Sequence, residues 1–532
     1  MGAIIFSTKN LTKSFWRKRI IFSLGVFVIL SVNFYYPAIG WCKRYYVKNS
    51  GDDMATGLSD LSAWKTISRV NRTKFSDGDT VCLKRGDTFS DSTFKSPGVN
   101  NFTIQDYGNG PKPHLNGNII KPITIEPSKS IQNLTIKNID ISGQDWMIEK
   151  GSNMTIKNVH GVILDNISGN GHLNGKTSIG KTAITLTECS GEIVIKNCQL
   201  SNWGPLGLPK LSKDFMGIAL ISINEGSYDI SNNVIHNVNA DCVHLYHNTA
   251  KGFVHHNTLY NGGEDSIDVK GTHNTEIYEN EFYRTDDFTG EGGSGSGGLP
   301  TLIVVHEGNG KEAKNTVIRD NKFHGGDAVG IKIGGAGNTA IYRNYFEKLR
   351  GAINIMNRSQ DTIIHHNIIV NPKSRKGYKD MDGGCIYENN SYSGTNIYNN
   401  TIYDDLGLCK HLISIASCNK TTIKNNIVYQ RNRDEHAYCF YFWPYGKDPV
   451  VQNNCWYNEL SSNRVKYRNV QYIEKNLDSW RRLGHANDTF ENPLFNDPPK
   501  GDFSLKINSP CLSETEYRGA VPFSPSVQKS PK

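Results

Sequence analysis

The sequence predicts an all-β solenoid, a parallel β-helix, on two observations: a short phrase centred on Asn repeats in phase, and the apolar residues alternate with period 2 and never with a helical period. In the phrase an apolar residue is followed three positions later by Asn and then by another apolar residue. The Asn falls at Asn233 (DISNNVI), Asn257 (FVHHNTL), Asn280 (EIYENEF), Asn321 (VIRDNKF), Asn344 (AIYRNYF), Asn367 (IIHHNII), Asn400 (NIYNNTI) and Asn426 (TIKNNIV), with successive gaps of 24, 23, 41, 23, 23, 33 and 26 residues. Gaps of 23 and 24 define the unit, and the longer ones are units with loops inserted. That unit is too short for a kelch or WD40 blade, and its strand period excludes leucine-rich, ankyrin and tetratricopeptide repeats. Asn suits the position twice over, because it tolerates the left-handed backbone of a tight bend and its amides can hydrogen-bond along a stack. Weaker copies at Asn138 (LTIKNID), Asn158 (MTIKNVH) and Asn197 (IVIKNCQ) carry the pattern upstream. Roughly ten rungs at ~4.8 Å each make a rod on the order of 50 Å long.

Composition agrees: among 532 residues, 51 Gly and a dense scatter of Asn, Thr and Ser leave few stretches for an amphipathic helix. The first forty residues differ from the rest. Lys13, Arg17, Lys18 and Arg19 precede an apolar run from Ile20 to Val32, and Ala38-Ile39-Gly40 offers small residues for cleavage, so residues 1–40 read as a secretory signal peptide. An uncut signal anchor is the alternative. Either way the bulk is exported, extracellular or periplasmic, and a cleaved leader leaves no stable membrane association. The formal charge of +8 falls to 54 − 51 = +3 once the five Lys and Arg of that leader are removed, and no basic stripe suggests nucleic acid. Eleven Cys are an odd number for an oxidising compartment. Cys189 with Cys198, Cys409 with Cys418, and Cys439 with Cys455 are the candidate pairs, and no spacing suggests zinc.

A rod of strands needs its ends covered. The opening segment from Arg44, with YYVKNSGDD, AWKTISRVN and DGDTVCLKRGDTF, resembles the N-terminal region of the pectate-lyase-like β-helix superfamily, and ENPLFNDPPKGDFSLKINSPC at residues 491–511 resembles its closing segment. The resemblance implies a right-handed helix of three parallel sheets. It divides the chain into residues 1–40 (signal peptide), 41–130 (cap and first rungs), 131–430 (solenoid core) and 431–532 (last rungs and closing cap).

Between the Asn turns runs a second set of strands, AITLTE, GIALIS, CVHLYH, SIDVKG, LIVVHE, GIKIGG, AINIMN, CIYENN and LISIAS, in which the residue between each apolar pair points outward. The flanking rungs present Thr185, Ala219 and Ser414. The central rungs present His244, Asp268, Val304, Lys332, Asn354 and Tyr387, with Tyr246, Lys270 and His306 one step further along. Polarity is thus concentrated mid-sheet, as expected of a substrate groove. Asp241 opens one rung and Asp265 the next, 24 residues later, joined by Glu264 and Asp268. Four carboxylates so close repel unless a cation neutralises them, and an oxygen-only set suits Ca²⁺. The blander reading makes Glu264 and Asp265 solvated turn residues and pairs Asp268 with Lys270.

At these residues the chain resembles calcium-dependent polysaccharide lyases of the family nine pectate lyase type, which carry two adjacent acids, a third three residues on, another a rung below, and a lysine in a strand reading roughly GFKLGG. Here Glu264-Asp265, Asp268, Asp241 and Lys332 in GIKIGG match; Glu stands where the family has Asp, and an extra rung precedes Lys332. The resemblance implies β-elimination from an acidic polysaccharide by a secreted monomer. A cation acidifies the proton beside the uronate carboxylate and a base removes it. Lys332 is the first candidate base, with Lys270 and His306 as alternatives; Arg343, Arg350 and Arg358 are candidates for substrate carboxylates, and His244, Asn354, Tyr246 and Tyr387 for sugar contacts. Competing readings are a C5-epimerase, a glycoside hydrolase using Glu307 and Glu388, and a non-catalytic carbohydrate-binding or structural protein. The Gly-rich insert at 285–300 is a candidate lid.

Overall fold

The computed structural model describes residues 42–520 apart from 117–120, 143–150, 172–180, 205–214, 287, 289–299, 374–383, 390, 392–393, 445 and 513–517. The leader and most of the candidate lid therefore lie outside the described residues. The described chain winds into a right-handed parallel β-helix with three long sheets, two of 15 strands and one of 11. Sheet 1 runs from Arg44–Val47 to Val450–Gln452, sheet 2 from Ser168–Asn170 to Cys455–Asn458, and sheet 3 from Phe94–Lys95 to Val470–Ile473. Two short α-helices, Ile67–Asn71 and Leu477–Arg482, lie in the two flanking regions. Among the described residues no helix is long and apolar enough to cross a membrane. Fifteen strands at ~4.8 Å put the rod near 70 Å, longer than the Asn phrase implied.

Alternation builds the core. In sheet 1 one inward column passes through Ile136, Leu164, Ile195 and Ile230 and on to Val451, all aligned by backbone register and buried. In sheet 2 Phe282, Phe323 and Phe346 stack with ring centroids 4.9 and 4.6 Å apart.

The turn between sheets 1 and 2 explains the Asn phrase and separates the two roles assigned to it. The left-handed residue is the one before the repeated Asn: Asn232, His256, Glu279, Asp320, Arg343, His366, Asn399 and Asn425 all have φ between 53° and 57°. The repeated Asn itself points inward and is buried. Each side-chain amide donates to the Oδ1 of the Asn one rung on, at 2.9–3.0 Å from Asn233 to Asn454, and Asn454 donates to Asp488 at 3.3 Å. The upstream copies are out of phase with this ladder. Asn138 and Asn197 take the left-handed position, with Ile139 and Cys198 in the ladder position, and Asn158 lies in the turn between sheets 3 and 1.

None of the three candidate disulfides forms. Cys455 bonds Cys511 instead, with Cα atoms 5.8 Å apart, which ties the closing segment to the last rungs. Cys189 and Cys198 sit at different corners of the solenoid, and Cys409 and Cys418 flank the seven-residue strand His411–Ser417, which holds their backbones roughly 20 Å apart.

Asn321→Leu removes the acceptor for the Asn280 amide and backbone N–H and the donor to Ile277 O, so it should cost roughly 2–5 kcal/mol. Glu279→Gly, at a left-handed site, should change stability by less than about 1 kcal/mol. Urea unfolding of both variants checks the contrast. The buried Asp404 accepts from Leu408 N–H and Cys409 N–H at 3.3 Å, yet burial pushes its carboxyl up to about 7. The folded chain thus holds a proton that the unfolded chain releases near pH 4, and stability is lost as pH rises from there to about 7. Asp404→Asn should leave the melting midpoint unchanged near pH 4 and raise it at pH 8, by up to about 4 kcal/mol of stability.

Candidate active site

Backbone register in sheet 3 places His244, Asp268, Val304, Lys332, Asn354 and Tyr387 in one outward column, followed by Ser414, Tyr441 and Lys466. A parallel column holds Tyr246, Lys270, His306 and Gly334. The rung of Glu264 and Asp265 is entered through constrained backbone. A Cβ on Gly262 would lie 2.3 Å from Asp265 O, and one on Gly263 would lie 2.1 Å from Asn239 O. Only glycine allows this tight entry, which delivers Glu264 and Asp265 to the strand Asp265–Lys270.

Four side chains converge at the centre. His244 Nδ1 lies 2.9 Å from Asp241 Oδ2 and 3.2 Å from Asp268 Oδ2, and His306 Nε2 lies 2.9 Å from Asp268 Oδ1. Asp241, His244 and Asp268 can each aim one ligand atom into a space where these atoms lie within 4.8 Å of one another. Burial disfavours charge on His244, but the bonds to Asp241 and Asp268 outweigh it and push the imidazole up to about 10. Burial acts on Asp268 too, and the two histidines overcome it and hold its carboxyl below the usual range. Asp241 is raised, chiefly by burial, and its Oδ1 is buried with no hydrogen-bond partner. Asp265 is raised well above the usual range by burial and then by the charges of Asp241, Asp268 and Glu264; Lys332 pulls the other way. The extra rung, which contributes Val304 to the column, therefore leaves Lys332 in electrostatic reach of the acids.

Of the anticipated metal set, Asp241 and Asp268 meet around His244, while Glu264 and Asp265 flank them from the rung entry. Tyr246 stacks on His247 at 3.8 Å, and its hydroxyl accepts from Asn309 Nδ2 at 2.6 Å. Asn309 belongs to a hairpin closed by Gly308 and Lys311 that leans back across two rungs, where Gly308 O meets His247 Nε2 at 2.8 Å. Reading single strands missed this wall, although Asn309-Gly310 is a turn signature. Asn354 and Tyr387 are largely buried in the column, 5 % and 4 % exposed.

Arg343 and the second hydrolase carboxyl lie elsewhere, while Arg350 and Arg358 flank the sheet 3 strand Ile353–Met356 at its two ends. Arg343 is at the turn between sheets 1 and 2, where its guanidinium grips Asp320 through two 2.7 Å bonds. Arg350 pairs with Asp327. Arg358 follows the strand Ile353–Met356 in the turn leaving sheet 3. Glu388 points into the solenoid: it aligns with the inward Ile355 and Ile415, is fully buried, and accepts from Ser391 and from Thr421 at 2.9 and 3.0 Å. Burial pushes its carboxyl up, and it cannot face Glu307 across a bound sugar.

A family model described as "right handed beta helix region" matches residues 303–405. No curated protein matches the sequence. Among solved structures, a tailspike protein double mutant of E. coli bacteriophage HK620 is 10% identical, covers 77% of this chain and 73% of its own, and superposes with a TM-score of 0.50. An alginate lyase from Paenibacillus sp. is 17% identical, with coverage of 56% and 97% and a TM-score of 0.39. The A-module of a mannuronan C-5 epimerase from Azotobacter vinelandii is 11% identical, with coverage of 78% and 91% and a TM-score of 0.40. These likenesses concern the fold. The chain is a right-handed parallel β-helix protein.

Proposed function

We propose that the protein is a carbohydrate-active enzyme that lays an acidic, uronate-containing polysaccharide along sheet 3 and cleaves it by β-elimination. One observation carries this reading: Asp241, Asp265 and Asp268 crowd around His244 and His306, with Lys332 within electrostatic reach on the same outward face. Lyase and epimerase chemistry both occur on this solenoid, in the proteins named above, but the support here comes from this chain's own residues. We further read the chain as exported and monomeric.

The proposed occupant is a divalent cation, Ca²⁺ first, because the buried Asp241 Oδ1 lacks a partner and Asp241 and Asp268 can each aim an oxygen into one space beside a ring nitrogen of His244. Asp241, Asp265 and Asp268 would hold it, with Glu264 at the rim. Such a cation would neutralise the uronate carboxylate and so make the adjacent C5 proton more acidic; as a base takes that proton the electron pair forms the C4=C5 double bond, the C4–O bond breaks, and the leaving oxygen takes up a proton. Lys332 is the proposed base, since a neighbouring cation would also favour its neutral amine. His306, oriented by Asp268 through Nε2, is the alternative, and Lys270 lies beside it in the parallel column. A second group donating a proton to C5 from the opposite face would make the same site an epimerase. Hydrolysis is the second reading, favoured by one observation: the Asp265 carboxyl is pushed well above the usual range while that of its neighbour Asp268 is held below it, a division suited to general acid and carboxylate partner.

Incubating the purified chain with a panel of uronate polymers and following the ultraviolet absorbance of unsaturated ends tests the reading. Chelator-sensitive absorbance is expected; new reducing ends without absorbance would transfer the site to hydrolysis. Asp265→Ala should abolish both calcium binding, measured by calorimetry, and turnover, and full activity in that variant would remove the cation from the proposal. Lys332→Ala should lower kcat by about 10²–10⁴ with little change in calcium affinity.

A further inference from the structure

We infer that the groove has a second anchoring point for the same acidic polymer, an aromatic and lysine cluster of Tyr438, Tyr441, Trp443 and Lys466 near the C-terminal end of sheet 3; this rests on the acidic-polysaccharide reading above. The outward column that holds Asp268 continues through Tyr387 and Ser414 to Tyr441 and Lys466. Tyr441 lies six strands beyond Asp268, which at ~4.8 Å per strand is about 29 Å along the rod.

The cluster is built rather than incidental. His411 stacks on Tyr441 at 4.5 Å, Trp443 meets Tyr441 edge-on at 4.7 Å, and Trp443 Nε1 donates to Ser414 Oγ at 3.3 Å. Lys466 Nζ rests over two rings, 5.2 Å from the centroid of Tyr441 and 5.6 Å from that of Tyr438. The acids nearest by charge to Tyr438 are already engaged, Glu435 with His436 and Asp434 with Lys410. Lys466 makes no ion pair among the described residues, whereas Lys196 in sheet 1 and Lys322 in sheet 2 each meet a carboxylate.

A half-buried ammonium on an aromatic bed, without a carboxylate partner, is an anion site waiting for its anion. A uronate residue supplies both halves of the match: its carboxylate pairs with Lys466, and its ring's C–H face packs on the half-exposed Trp443. A sugar residue advances about as far as one rung, so a chain held at both ends spans the column from acid centre to cluster. Long chains are therefore held at two points and short ones at one.

Affinity electrophoresis through gels containing polygalacturonate or alginate, with and without calcium, tests this against a neutral dextran gel. The native chain should be retarded by at least one acidic polymer. Trp443→Ala and Lys466→Gln should weaken that retardation about tenfold, Lys466→Arg should keep it, and oligomers too short to span six rungs should bind all forms alike. Variants that match the native chain on a retarding polymer, or that lose short and long ligands equally, overturn the second anchor and leave the polysaccharide reading standing. A native chain retarded by no acidic polymer overturns both. Thermal unfolding of each variant checks its fold, and should Trp443→Ala fail to fold, Lys466→Gln at the surface carries the test.

Discussion

The structure depends on the buried ladder of asparagines between sheets 1 and 2. A chain that turns sharply inside an apolar rod leaves backbone N–H and C=O groups facing the core, and each unmet group costs on the order of 1–3 kcal/mol. The ladder meets them repeatedly. In each rung the Asn amide donates both to the next Oδ1 and to a strand carbonyl such as Ile230 O or Ile277 O, and its Oδ1 receives the backbone N–H of the previous Asn. Since every amide must find the next one rung on, the ladder admits no slip. Insertions are confined to the stretches between its members, as in the 41-residue step from Asn280 to Asn321 whose sequence includes the Gly-rich insert and which contains the Gly308–Lys311 hairpin.

That phase lock is why so much of the site was legible without coordinates. Once the Asn positions fix where each rung starts, period-2 alternation assigns the outward residues of sheet 3, and the register reproduces that column from Thr185 to Ser414. What stayed hidden depends on how side chains lean and on polar residues placed at inward positions. His244 was placed in the column, but not its wedge between Asp241 and Asp268, because sequence spacing carries no information about χ angles. Glu388 reads as a candidate carboxyl for the groove because it is charged, although alternation puts it at the inward position of Ile355 and Ile415; hydroxyls of Ser391 and Thr421 make the interior habitable for it. Upstream, a single-residue offset separated Asn138 and Asn197 from the ladder, since left-handed turn and inward stack favour the same residue type for different reasons.

The centre of the groove is an electrostatic compromise more than a collection of strong residues. Asp241, Asp265 and Asp268 compete for charge in a poorly solvated space, and the outcome is unequal: two imidazoles hold the Asp268 carboxyl below the usual range, while burial and the neighbouring carboxylates push that of Asp265 well above it. Groups pushed apart in this way are poised to exchange protons or take up a cation, whichever reaction they serve. A structural ion-pair network would instead pair its charges fully, as Arg319, Arg343, Asp320 and Glu276 do on the opposite side of the rod.

A solenoid also fixes charge along its length in a way compact domains do not. Acids gather at the rungs of Asp241 and Asp268, and lysines follow at Lys332 and Lys466 on the same column, each at a distance set by whole rungs. A polyanion gains from the lysines wherever it lies, yet over the acid rungs it is repelled until a cation or a shared proton intervenes. Under the proposed function, binding along the rod and reaction at one point would thereby be separated: the basic stretch would supply affinity that does not depend on the reacting sugar, and the acid stretch would impose a requirement that only a correctly placed carboxylate can satisfy. The rigid rung spacing, held by the asparagines on the far side of the core, is what keeps those two demands in register.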